Sequence, residues 1–190
     1  MIGINNLTTN LVEEKFLKRV AEKVLKGESA SWRKEKKDLS IALVGQGRIR
    51  ELNKKYRGKN RATDVLAFGQ NQKSKIKNQK STEPFLGEIV ICLKEVKKNA
   101  KRFTPLEITG AGKKDKKKKS LTGFKQTFKE ELARVLIHGI LHLLGYSHEV
   151  SSEKARKMEE KQSHYLSQAL KNNSKIKKEQ VPRKREQKSK

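Results

Sequence analysis

The chain has 190 residues, of which 33% are hydrophobic, and its 47 Lys and Arg outweigh 21 Asp and Glu to give a formal net charge of +26. This composition provides one modest core and favours a polyanionic partner, above all nucleic acid. Since the sequence has no apolar run of about 18 residues and residues 1–7 do not resemble a signal peptide, we expect a cytoplasmic protein without membrane association.

The spacing of apolar residues predicts strands and helices that alternate along most of the chain. In chain order, the predicted elements are a strand at 1–7, a helix at 11–26, a strand at 38–44, a helix at 47–56, strands at 63–68 and 86–93, and helices at 94–103, 124–144 and 151–170. This mixture indicates an α/β or α+β arrangement of layers around one small sheet.

The strand predicted at 86–93 is almost continuously apolar, which is typical of a strand buried on both faces. Cys92 lies in this strand, and we expect it to serve packing rather than chemistry. Because Cys92 is the only cysteine, the chain has neither an internal disulfide nor a four-cysteine zinc site. Any bound metal must therefore be held by histidines and carboxylates.

Two stretches concentrate part of the positive charge. Residues 113–119 contain six Lys and one Asp, and residues 171–190 contain seven Lys and two Arg against two Glu. Like charges repel and bury little apolar surface, so we predict that both stretches are disordered in isolation. We expect them to add nonspecific affinity for RNA.

Three of the four histidines fall within eleven residues, at His138, His142 and His148. On a helix, His138 and His142 project from the same face, about 6 Å apart along the axis. Gly145 allows the backbone to leave the helix and to bring His148 back toward the same point. Three imidazoles with an open fourth position are typical of a catalytic zinc, although nickel, copper or iron accept the same ligands.

Two other interpretations of this segment compete with a metal site. The histidines could simply line a helix packed on the sheet, but three at this spacing favour a metal. The spacing also occurs in zinc proteases, whose general base is a Glu next to the first His. Here that residue is Gly139, which argues against a protease. Glu131, earlier on the helix, is expected to face solvent without a role.

The segment from His138 to His148, HGILHLLGYSH, resembles the signature of the bacterial rRNA maturation factors of the YbeY type, which are metal-dependent endoribonucleases. Three upstream blocks resemble the same family in the same order, and they are LNKKYR at 52–57, TDVLAF at 63–68 and LGEIVI at 86–91. The resemblance covers residues 1–170, which would form a single domain. It also makes residues 104–123 look like an enlarged basic loop and leaves 171–190 as a disordered tail.

The resemblance implies an α+β fold with a small mixed sheet and with the metal site at the end of a long helix in the C-terminal half. It implies one zinc ion per chain, bound by His138, His142 and His148. It also implies a single-strand endoribonuclease that acts on 16S rRNA in the small ribosomal subunit, in 3′-end maturation and ribosome quality control. Ribosome-assembly proteins would be further partners.

Arg57 matches a family arginine that faces the metal cleft, and we assign it to the scissile phosphate because a guanidinium matches phosphate oxygens. Lys59 and Arg61 follow it and add charge for RNA binding. Thr63 and Asp64 are expected to cap a strand.

The sequence departs from the family pattern at three positions: Ser147 and Glu88 each stand where an Asp is common, and Ala67 stands where a Ser is common. An alternative consistent with the same composition is an rRNA-binding assembly protein whose metal only fastens the helix end.

Overall fold

The computed structural model describes residues 1–28, 37–69, 85–102, 127–148 and 151–179. Within these ranges the strands are β1 (Ile2–Asn6), β2 (Asp38–Val44), β3 (Val65–Gly69) and β4 (Phe85–Cys92). The helices are α1 (Glu14–Glu28), α2 (Gln46–Arg57), α3 (Leu93–Arg102), α4 (Phe128–Leu143) and α5 (Ser152–Glu179). None of these helices is both long and apolar enough to span a bilayer.

The four strands form one mixed sheet in the order β1-β2-β4-β3. Strands β1, β2 and β4 run parallel, and β3 pairs antiparallel with β4 at one edge. The predicted α+β class with a small mixed sheet is therefore confirmed. The edge position of β3 matters for function because its residues line the cleft described below.

Strand β4 is buried on both faces, as its continuous apolar sequence predicts. Its successive side chains alternate between two cores: Ile89 and Ile91 join the larger core with α1, α4 and α5, whereas Val90 and Cys92 join a smaller core that includes Ile49 of α2. Cys92 is fully buried, and burial raises the pKa of its thiol. It therefore packs, as predicted.

The two C-terminal helices differ from their predicted bounds. Helix α4 begins at Phe128 because Thr127 caps it, accepting a hydrogen bond from the Glu130 backbone N–H while the Glu130 carboxylate accepts one from the Thr127 N–H. Helix α5 continues to Glu179, nine residues beyond its predicted end, so the first part of the basic tail is helical. The whole of the loop 104–123, including its basic stretch 113–119, lies outside the described residues, as do residues 180–190.

The expectation that Glu131 faces solvent is wrong. Its side chain is fully buried, and its carboxylate accepts a hydrogen bond of 2.7 Å from Arg134 Nε. Arg134 also lies 3.9 Å from the Asp64 carboxylate at the start of β3. Helix α4 is packed against α1, α3, α5 and the sheet. The face that would be exposed to solvent on a surface helix is therefore buried here. A charge at that depth requires an ionic partner.

Candidate active site

The three clustered histidines converge at the C-terminal end of α4. His138 and His142 lie one turn apart, with ring centroids 4.6 Å apart, and the chain then turns at Gly145, whose φ is +91°. This left-handed conformation favours glycine. The turn brings the His148 ring to 5.3 Å from His138 and 5.2 Å from His142. The helix and the turn thus assemble the site.

The donor atoms of this cluster lie close enough together to hold one metal ion. One nitrogen from each of the three rings lies within 4.8 Å of the others, and His138 Nε2 is 3.0 Å from His142 Nε2. Two nitrogens bound at about 2.0–2.1 Å to a tetrahedral zinc are about 3.3 Å apart. The observed separation is therefore close to that of two ligands on one ion.

Hydrogen bonds to the opposite ring nitrogens fix which atoms face the centre. His142 Nδ1 lies 3.0 Å from the backbone oxygen of Tyr146, and His138 Nδ1 lies 2.9 Å from Oε1 of Gln162. A carbonyl oxygen only accepts, so each Nδ1 donates and each neutral ring keeps its lone pair on Nε2. Two lone pairs that face each other at 3.0 Å repel unless a cation, either a metal ion or a proton shared by the two rings, lies between them.

Burial favours the neutral, metal-binding form of His138. Loss of hydration lowers its pKa to about 4, opposed by the hydrogen bond to Gln162 and reinforced by the charges of His142, His148 and Arg134. Metal ligation needs a deprotonated imidazole nitrogen. The ring is therefore ready to bind a cation at neutral pH.

We predict that Gln162→Leu weakens metal binding by about 10-fold to 100-fold, because His138 loses the acceptor that orients it. Gln162→Glu keeps an acceptor at the same place and is expected to stay near the parent affinity. Competition with a zinc chelator measures both constants. Equal affinities for the parent and Gln162→Leu would contradict this role.

The three histidines line a cleft of about 720 Å³. All residues of the edge strand β3 form one wall of this cleft. Arg57 and Tyr56, from the end of α2, lie on the same cleft. Tyr56 is 54% exposed, and its ring meets that of Phe68 at 5.0 Å and at 65°. The cleft thus combines a histidine cluster that could hold a metal ion, a guanidinium and an exposed aromatic ring.

Arg57 is the last residue of α2, which ends at Gly58 in the left-handed region with φ +68°. Lys59 and Arg61 follow in an exposed loop, where Asn53 Nδ2 donates to the Arg61 carbonyl at 2.7 Å. The structure therefore brings Arg57 to the cleft with the histidines, whereas Lys59 and Arg61 do not line it.

Asp64 caps the start of β3. Asp64 Oδ1 accepts from the Val65 N–H at 3.0 Å and from the Thr63 hydroxyl at 3.2 Å, and Asp64 Oδ2 accepts from Asn99 Nδ2 at 3.2 Å. These contacts agree with the capping role expected for Thr63 and Asp64, although both residues also border the cleft.

Gly139 has a packing reason to lack a side chain. A Cβ at this position would lie 3.0 Å from Ile89 Cγ2 and 3.4 Å from Val65 Cγ2. Helix α4 therefore lies so close to the sheet that the Glu that zinc proteases carry there would force the buried Ile89 side chain to shift. Ser147, which precedes the third histidine, lines the cleft.

Sequence reasoning missed Gln162, the Tyr146 carbonyl and Lys37, which also lines the cleft. Gln162 is 24 residues from His138 along the chain, and no local sequence pattern predicts a contact at that separation. The Tyr146 carbonyl meets His142 because the chain turns back at Gly145.

The fold and the site define a class: a small α+β protein with three histidines converging in an open cleft beside an arginine. The family model described as endoribonuclease YbeY matches residues 3–108 and 114–170. The chain belongs to this family.

Curated relatives named endoribonuclease YbeY support this membership. The protein of Thermodesulfovibrio yellowstonii is 41% identical over 129 residues, which are 68% of this chain and 65% of that protein. The protein of Petrotoga mobilis is 34% identical over 168 residues, which are 88% of this chain and 94% of that protein. The solution structure of TM1509 from Thermotoga maritima is 28% identical and superposes with a TM-score of 0.55, covering 97% of this chain and 99% of that one.

Proposed function

We propose that this protein is a zinc-dependent endoribonuclease that cleaves single-stranded RNA in the cytoplasm. Its substrate is 16S rRNA of the small ribosomal subunit, in 3′-end maturation and in ribosome quality control. The observation that carries the proposal is the convergence of His138, His142, His148 and Arg57 on one cleft, in a YbeY family chain with a net charge of +26.

His138 and His142, through Nε2, and His148 would hold one zinc ion, with Gln162 and the Tyr146 carbonyl orienting the first two. When bound, such an ion supplies Lewis-acid activation of water or of the phosphate at its open coordination position. His148 is exposed, which leaves this side of the cluster accessible to a polymer.

Arg57 supplies positive charge where the reaction develops negative charge. Its planar guanidinium donates two parallel hydrogen bonds to non-bridging phosphate oxygens, which stabilises the extra charge of the transition state. Lys59 and Arg61, just outside the cleft, contact the RNA backbone further along the strand.

Tyr56 offers a surface on which an unpaired base can stack. Its ring is half-exposed and is supported from within by Phe68. Stacking on an aromatic side chain requires a base that is free of its helix, so this contact favours single-stranded over duplex RNA.

Ser147 is the position at which this chain replaces the common Asp. We predict that Ser147→Asp raises cleavage by less than about tenfold, or about 1.4 kcal/mol of barrier, because the residue orients the neighbouring ligand rather than accepting the proton. Single-turnover rates of the two proteins measure the change. A thousandfold gain would instead make the missing carboxylate the general base.

The test is cleavage of matched single-stranded and duplex RNAs by the purified protein, with chelator and after zinc is restored. We expect cleavage of the single strand that chelator abolishes and zinc restores. RNA binding without cleavage under all conditions would contradict the proposal and leave the interpretation as an assembly protein that binds rRNA.

A further inference from the structure

A second cavity, of about 530 Å³, adjoins the metal-binding cleft. The two share five lining residues, which are Lys37, Leu86, Leu143, Gly145 and Ser147. Because these residues include the turn between His142 and His148, a polymer bound at the histidines can pass directly from one cavity into the other.

The second cavity is basic. Lys37, Lys154 and Lys157 line it, and the last two extend from the first two turns of α5. Glu28 is the carboxylate among the lining residues. Three cations around one small volume form a favourable site for phosphate groups.

The carboxylate of Glu28 does not cancel the positive charge of these lysines, because Lys161, which does not line the cavity, already neutralises the carboxylate. It accepts hydrogen bonds from Lys161 Nζ at 2.8 Å, from the Tyr165 hydroxyl at 2.6 Å and from the Tyr146 hydroxyl at 2.5 Å. Its side chain is only 5% exposed. Glu28 thus holds together the residues of the inner wall. Lys154 and Lys157 give the opening of the cavity a positive electrostatic potential.

The remaining wall is apolar and is formed by Leu86, Leu143 and Leu144. All three are partly buried and pack against the main core, so the wall is firm. A cavity of a few hundred Å³ with an apolar wall and a cationic rim suits a flat ring that carries an anionic group. A nucleotide has this chemistry.

We propose that this second cavity is a subsite for a nucleotide that flanks the scissile bond, with its base against the leucine wall and its phosphates at Lys154 and Lys157. The inference rests on the proposed function, since it assigns the cavity to the same RNA strand. The strand then runs from Arg57 across the histidines and over Ser147 to the start of α5.

The test compares two double variants that each remove two positive charges. Lys154→Gln with Lys157→Gln alters the cavity. Arg156→Gln with Lys97→Gln is the matched control: Arg156 lies between the two lysines on α5 but lines neither cavity, and Lys97 is an exposed residue of α3. Thermal melting checks that both variants fold like the parent.

Binding is measured by fluorescence anisotropy with zinc-loaded protein and a nuclease-resistant 2′-O-methyl single-stranded oligonucleotide over a range of salt. Two lost phosphate contacts should make the negative slope of log affinity against log salt shallower by about 1.4, at about 0.7 each. The control variant is expected to keep the parent slope. Equal slopes in the two variants would overturn the subsite.

Cleavage assays on RNA distinguish this inference from the proposed function. We expect the cavity variant to raise KM by about tenfold and to keep kcat, because its lysines lie away from the reacting phosphate. If neither the parent nor either variant cleaves RNA but the salt slopes of the two variants still differ, the endoribonuclease proposal fails and the cavity remains an RNA-binding site. A fall in kcat at unchanged KM would overturn the subsite.

Discussion

His142→Ala is expected to lose its bound metal and to reduce RNA cleavage by about a thousandfold or more. Removing one of three ligands takes away a donor whose Nε2 lies 3.0 Å from that of His138. A loss of about 4 kcal/mol of transition-state stabilisation corresponds to about a thousandfold in rate. Elemental analysis and single-turnover cleavage measure the two effects, and we expect the same pattern for Ala variants at His138 and His148.

The fourth histidine provides the matched control. His164 is exposed on α5 and bonds to Gln168 at 2.7 Å, away from the cluster. His164→Ala should therefore keep both its metal and its activity. Full retention of metal in all three ligand variants would refute the proposed site, whatever their activity.

Arg57→Lys should bind RNA with near-parent affinity and cleave it about 100-fold more slowly. Lysine keeps the charge that attracts the RNA but lacks the planar fork that can bind two phosphate oxygens at once. Losing one such transition-state contact typically costs about 100-fold to 1000-fold in kcat. Affinity by anisotropy and kcat from initial rates separate the two contributions.

Arg48→Ala is the control for this substitution. Arg48 lies on the same helix as Arg57, is exposed and pairs with Glu51 at 3.4 Å, outside the cleft. Its loss should leave kcat unchanged. An Arg57→Ala protein that cleaves RNA at the parent rate would remove Arg57 from the mechanism.

Local sequence determined most of the elements and the chemistry of the histidine cluster. The continuous apolar run of β4 predicts a strand buried on both faces, because neighbouring side chains point to opposite faces and both must leave water. The i, i+4 spacing of His138 and His142 and the helix-ending Gly145 predict a shared donor site for the same kind of reason: helix geometry and the φ preference of glycine are local properties.

Tertiary structure alone decided what packs around that site. Glu131 is buried rather than exposed because α4 is covered on several sides. The periodicity of a helical sequence does not show how many elements will pack against the helix. Gln162 meets His138, and Lys154 lines the same cavity as Ser147, because α5 folds back along α4. Such contacts depend on which surfaces meet once the whole chain is collapsed, and no short segment encodes that choice.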